Sequence, residues 1–254
     1  MKRLYNSQIK MIKSLQNVKG RTETGFFVSE GLKEVRELIS SGIVIEMIVV
    51  DKYFDFSQIE LKPNIELYEH NIESVTAMAS SEGILAVARI PEPNKNESFF
   101  KNRSRMLGLF SISDPGNLGT LIRTARWFNL DGVLLYGNCA DVWSPKVLRS
   151  SMGAVFGMDC IKFSRFGDSR EFLRDFHKIS TYLHKINDYK CGSSRKRKIL
   201  FLGNEANGID RAMEQEFDSN FRIGPEGGFE SLNVSVAGGI IMNEIFNTGR
   251  SIKC

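Results

Sequence analysis

The 254-residue sequence is poor in the residues that build metal centres and covalent staples, with four cysteines and three histidines. Cys139, Cys160, Cys191 and Cys254 form no C-x-x-C pair and have no histidine at ligand spacing, so no zinc or other metal site is expected. Long apolar runs are missing as well. No stretch approaches the roughly 18 residues needed to span a bilayer. The first residues, Met1-Lys2-Arg3-Leu4-Tyr5-Asn6, run into Ser7, Gln8 and Lys10 rather than into an apolar leader core. These absences point to a soluble, cytoplasmic protein with reduced thiols and no membrane partner. Neither G-x-G-x-x-G after a first strand nor G-x-x-x-x-G-K-[ST] occurs, which sets aside the common dinucleotide and P-loop sites.

What is present suffices for a large core. Hydrophobic residues make up 42% of the chain, a length that allows one large domain or two modest ones. A net charge of +4 suits a surface that meets phosphates without requiring one.

Apolar periodicity divides the chain into two α/β regions. In residues 1–90, a helix is expected from about Ser7 to Gln16 and a strand around Phe26-Phe27-Val28. Leu32, Val35, Leu38 and Ile39 recur at helical spacing, and Ile43 to Val50 and Gly83 to Ile90 read as strands. Residues 91–105 form an expected linker, opened by Pro91, Pro93 and polar neighbours that cannot easily extend a helix or strand. Its basic residues Lys101, Arg103 and Arg105 fit either a solvated loop or a phosphate contact.

From residue 106 to 254, strands and helices alternate, as expected for a mostly parallel sheet with helices on both faces. The expected strands are Met106 to Ile112, Gly132 to Tyr136, Met158 to Phe163, Thr181 to Ile186, Ile199 to Gly203 and Phe221 to Ile223. Helices are expected from about Asn117, after Pro145, near Arg170 to His177, near Asp210 and from about Leu232 to Phe246. The run Arg195-Lys196-Arg197-Lys198 is the densest basic cluster, either a solvated turn or a patch facing nucleic acid.

Three loops in this second region combine glycine with functional polar residues. In Asp114-Pro115-Gly116-Asn117-Leu118-Gly119, the proline and glycine force a turn, Asn117 can cap the next helix, and Arg123 lies one turn beyond Gly119. Gly203-Asn204-Glu205-Ala206-Asn207-Gly208 follows a buried strand and sets one carboxylate between permissive glycines. Arg222-Ile223-Gly224-Pro225-Glu226-Gly227-Gly228 leads through Ser231, a sound helix cap, to Leu232 and Asn233 in an expected first helical turn.

Together these loops resemble the SpoU (TrmH-like) branch of the SPOUT RNA methyltransferases. Asp114, Pro115, Asn117, Gly119, Arg123 and Ala125 match D-P-x-N-x-G-x-x-x-R-x-A; Gly203, Glu205 and Gly208 match G-x-E-x-x-G; Ser231 to Ala237 match S-L-N-V-S-V-A. Between them, Ser144 to Ala154 is similar to the family's N-P-K-x-x-R-x-S-x-G segment, with serine in place of the first asparagine. Lys13, Arg21, Phe27 to Gly31 and Gly83 to Val87 resemble the L30e-like substrate-binding domain often joined to this unit. One departure is Ile223-Gly224-Pro225, where the family commonly has Ile-Pro-Met.

The resemblance implies a deep trefoil knot, a homodimer, S-adenosylmethionine as cofactor, and methylation of a ribose 2′-hydroxyl, with ribosomal RNA ahead of transfer RNA. Methylation of an RNA base and RNA binding without catalysis are the alternatives. The family's site residues carry over to Asn117, Arg123, Glu205, Ser231 and Asn233 for catalysis. The backbone at Gly203, Ile223 and Leu232 carries over for the cofactor. The family's candidate base is the arginine matching Arg123. Removing the proton from an ordinary arginine at neutral pH costs on the order of 7 to 9 kcal/mol, which favours a charged clamp on the RNA instead.

Overall fold

Short apolar periods become β1 (Lys2–Arg3), α1 (Asn6–Ser14), α2 (Val18–Thr24), β2 (Phe26–Glu30), α3 (Leu32–Ser41), β3 (Ile45–Val50), β4 (Glu66–Glu69) and β5 (Ile84–Arg89). Then follow α4 (Glu97–Lys101), β6 (Arg105–Phe110), α5 (Pro115–Trp127), β7 (Gly132–Tyr136), α6 (Pro145–Ser151) and β8 (Cys160–Phe163). The chain continues through β9 (His177–Ser180), β10 (Lys198–Leu202), β11 (Ser219–Asn220) and α7 (Val234–Phe246). In this computed structural model the described residues are 1–76, 82–93, 97–181, 197–204, 208–221, 223 and 232–247. Among them, no helix is long and apolar enough to cross a membrane. Packing groups residues 1–92 with 141–157 in one unit and 93–140 with 158–254 in another.

The first unit is built on a sheet of order β1-β4-β3-β5-β2, in which β5 runs antiparallel to both of its neighbours. Alternation along the strands sends Val28, Met47, Val49, Leu85 and Val87 to one face, against Ile12 and Leu15. Leu15 follows α1 and ends the expected single helix early; the chain turns through Asn17 and starts again as α2. On β2, Phe27 packs against Trp143 and Phe156, so the segment 141–157 belongs to this unit although it lies far along the chain.

The second unit has an all-parallel sheet of order β11-β9-β10-β6-β7-β8. One face is aromatic: Tyr136, Phe163 and Phe201 pack with Phe99 and Phe100 of α4 and with Phe166, Phe176 and Phe217. Gly108 stands under the Phe201 ring, where a β-carbon would lie 2.2 Å from Cδ1. The opposite face carries α5 and α7. Both faces of these strands are covered, which explains their nearly continuous apolar sequences.

The helix expected near Arg170 to His177 is absent. A 3-10 turn at Phe166–Ser169 continues through short-range bonds such as Phe176 N to Leu173 O. His177 N already donates to Arg197 O, so β9 begins where that helix was to end. Residues 182–186 of the strand expected there lie outside the described residues. The expected strand at Phe221 to Ile223 is found slightly earlier, as β11.

Where α7 crosses the sheet, a β-carbon on Gly238 would stand 2.6 Å from Leu121 Cδ2 and 2.8 Å from Leu202 Cδ1. Gly238→Ala is therefore expected to destabilise the protein by roughly 1 to 3 kcal/mol through overpacking, even though alanine favours helix. Thermal or urea unfolding checks this; an unchanged or raised midpoint would show that α7 does not approach α5 this closely.

Candidate active site

Parallel strands bring their C-terminal ends to one edge, and ligands of open α/β sheets bind outside such an edge. β6 and β10 are hydrogen-bonded neighbours, so the loops opening at Ile112 and Gly203 leave the sheet side by side. β6 exits through Ser111, a non-glycine residue with φ of 53°, whose N–H donates to Tyr136 O at 2.9 Å. Sequence reasoning missed this strained residue, because serine carries no composition signal for left-handed backbone.

In the first loop the α5 cap is Asp114, not Asn117: its Oδ1 accepts from Asn117 N at 2.8 Å. The carboxylate fits because the next turn is Pro115 and Gly116, and a β-carbon at Gly116 would lie 2.9 Å from that same oxygen. Asn117 is thereby freed from capping and takes the third helical position.

The third loop shows the reverse exchange. Asn233 is the N-cap of α7, whereas the sequence placed it inside the helix behind a Ser231 cap. Its Oδ1 accepts from Ser235 N at 3.0 Å, Val236 N at 3.3 Å and Ser235 Oγ at 2.5 Å. With the oxygen so engaged, the amide NH2 turns away from α7 and donates to Asn117 Oδ1 at 2.9 Å. The first and third motifs thus meet through two amides, at the positive N-terminal ends of two thirteen-residue helices.

The second motif contributes a closed turn. Gly208 N donates to Asn204 O at 3.0 Å, and a β-carbon on Gly203 would stand 2.1 Å from Gly208 C. Both glycines of G-x-E-x-x-G are explained, one by contact and the other by its φ of 62°. Glu205 and Ser231 lie outside the described residues, as do Gly224 and Pro225 of the departure in the third motif. Ile223 is half-buried, and Leu232 is exposed beside the Asn233 cap. Arg123 is exposed on α5 and its side chain makes no ion pair or hydrogen bond among the described residues, so Asn117 is joined to Asn233 and not to Arg123.

Several basic residues serve the fold instead. Arg103 pairs with Asp159 at 2.8 Å over the Phe99 ring, and Arg105 donates to Phe246 O at 2.8 Å. From the basic run, Arg197 lies 4.2 Å from the Phe176 ring centroid and donates to Arg103 O. Among the described residues, no group of His, Cys, Asp and Glu could hold a metal ion.

A family profile described as the SpoU rRNA Methylase family matches residues 104–243. The chain belongs to the SpoU family. A second profile, the MRM3-like substrate binding domain, matches residues 6–86. Among SpoU relatives, the 23S rRNA (guanosine(2553)-2'-O)-methyltransferase RlmP of Bacillus subtilis is 33% identical over 93% of this chain and 95% of that protein. The mitochondrial rRNA methyltransferase 3 of Xenopus tropicalis is 28% identical, over 75% of this chain and 52% of that protein. The AdoMet-bound rRNA methyltransferase from Sinorhizobium meliloti superposes with a TM-score of 0.84 at 26% identity, covering 99% of this chain and 98% of that one. In this SpoU chain, the motifs assigned from sequence therefore sit on a fold shared with solved methyltransferases.

The amide pair separates stability from activity. Asn233→Asp keeps an acceptor for the α7 cap but cannot donate to Asn117, whereas Asn233→Ala loses both and about 1 kcal/mol of cap energy. Unfolding midpoints should be near wild type for the aspartate variant and lowered for alanine, while methyl transfer falls in both. Full activity in Asn233→Asp would remove the amide pair from the site's workings.

Proposed function

We propose that the protein transfers a methyl group from S-adenosylmethionine to a ribose 2′-hydroxyl of ribosomal RNA. The observation that carries this reading is the Asn233 to Asn117 hydrogen bond, which joins two SpoU motifs at the C-terminal edge of the parallel sheet. Relatives named as 23S rRNA 2'-O-methyltransferase and as rRNA methyltransferase support the substrate. A cytoplasmic location goes with it.

The residues present are compatible with the cofactor: the Gly203 turn closes tightly on Gly208, and Ile223 is half-buried while Leu232 directly precedes the Asn233 cap. S-adenosylmethionine brings an activated methyl on a cationic sulfonium, so the protein's task is placement and preparation of the hydroxyl. Arg123, charged and exposed, clamps an RNA phosphate and steers the hydroxyl. Asn117 orients the ribose with its amide, held in register by Asn233. Glu205 fixes Arg123 or a nearby amide, and Ser231 with Asn233 bounds the transfer site. Residues 1–90 serve as the L30e-like RNA-binding domain and 106–254 as the knotted methyltransferase domain, apart from 141–157, which pack with the first; of the intervening 91–105, α4 packs into the second unit's aromatic core instead of acting as a free linker. Support for the knot comes from the packing of α7 on α5 and β10, which lays the last described helix over the first motif.

The active form is a homodimer. Val236 and Ile240, four apart on α7, are 52% and 45% exposed, Leu232 just before the α7 cap is 49% exposed, and Trp127 on α5 is 81% exposed. Such aliphatic and aromatic exposure beside Arg123 suits a second copy that shelters the site from water. Ile240→Glu is expected to give a monomer by light scattering, with methyl transfer lost; an active monomer would overturn this part.

Incubating the protein with labelled cofactor and total RNA from a methylation-deficient strain, followed by nuclease digestion and mass spectrometry, should find the label on the ribose of ribosomal RNA. Label on a base, label in transfer RNA, or no label would each displace the reading. Arg123→Ala should lower kcat/KM on the order of 100-fold and Arg123→Lys at least about tenfold, because lysine cannot grip a phosphate bidentately.

A further inference from the structure

The segment 141–157 lies within the stretch matched by the methylase profile, yet it packs into the same unit as residues 1–92. Its anchor is an ion pair buried on the arginine side. Arg21 on α2 is 2% exposed and directs Nε and Nη2 to Asp141 Oδ2 at 2.7 and 2.6 Å, while Nη1 donates to Leu15 O at 2.6 Å. Asp141 Oδ1 then accepts from Trp143 N at 3.0 Å, and the Trp143 ring stands 4.7 Å from that of Phe27. One residue later Ser144 caps α6, accepting from Val147 N; the hydroxyl does there what the family's asparagine could do. The result is a continuous path of contacts from α2 to the first turn of α6.

That helix carries two cations. Lys146 is exposed, and Arg149 lies in a cleft with Val28, Glu30, Glu34, Pro145 and Leu148 but forms no ion pair among the described residues. The Glu30 carboxylate beside it is already engaged by Gln16 Nε2 and Thr76 Oγ1. A buried guanidinium is costly unless fully paired, so a fold that keeps one to fix an otherwise exposed turn gains placement of what the turn carries.

We infer that Arg21 is a positioning residue that holds 141–157 as part of the RNA-binding surface of the first unit, with Lys146 and Arg149 as its phosphate contacts. The inference rests on the RNA methyltransferase reading above. It separates two affinities that a purely structural role would change together. In the full-length protein, Asp141→Asn should weaken binding of a 23S rRNA transcript about tenfold by fluorescence anisotropy. Calorimetric affinity for S-adenosylmethionine should stay within about twofold, and kcat at saturating RNA should also be kept. Lys146→Gln and Arg149→Gln should show the same split, and combined with Asp141→Asn their effects should be less than additive. Equal loss of cofactor and RNA affinity in Asp141→Asn, or unchanged RNA affinity in both glutamine variants, would overturn the inference. If Asp141→Asn does not fold, the two surface variants decide alone. Binding is measured without turnover, so a wild-type protein that binds the transcript but leaves it unmethylated defeats the ribose-methylation reading and not this one.

Discussion

At Gly238, α7 packs so closely on α5 and β10 that a β-carbon would press on the terminal methyls of Leu121 and Leu202. That approach brings the N-terminal ends of α5 and α7 together, and with them Asn117 and Asn233. A larger residue would have to displace those leucine methyls or part the helices that carry the 2.9 Å amide contact. Packing on one face of the sheet therefore bears on the candidate site at its edge.

The opposite face works differently. Its aromatic core, including Phe99 and Phe100, explains why the polar stretch before the second region is interrupted by two phenylalanines. Arg103 and Arg197 stack on Phe99 and Phe176 and bond to backbone and carboxylates, so cations that suggest nucleic acid in the sequence close the rim of this core. Charge density alone is weak evidence for an RNA surface; the useful distinction is whether a cation already has partners inside the fold. Arg123 and Arg149 have none among the described residues, and both stand on helices tied down by capped N-termini.

Much of the fold could be read from local pattern. Strands such as Ile45–Val50 and Gly132–Tyr136 follow from apolar runs of strand length, and α3 follows from Val35, Leu38 and Ile39 at helical spacing. Errors arose where a tertiary contact overrode a local rule. The segment after Phe166 has helical apolar spacing, but pairing of His177 with the strand at Arg197 ends it in turns. Local pattern favours Asn117 and Ser231 as caps over the true caps Asp114 and Asn233, because all four are competent cap residues and only the backbone path chooses among them.

The family, the expected cofactor and a list of candidate site residues are legible in the sequence, because motif spacing and residue type survive without coordinates. Tertiary structure alone decided which of those residues touch: Asn117 meets Asn233 across 116 residues of chain, Arg123 is left facing outward, and 141–157 joins the first unit. The reason is that each of these facts depends on a long-range approach, through Gly238 in one case and Arg21 in another. A glycine and a single arginine leave no periodic trace along a chain.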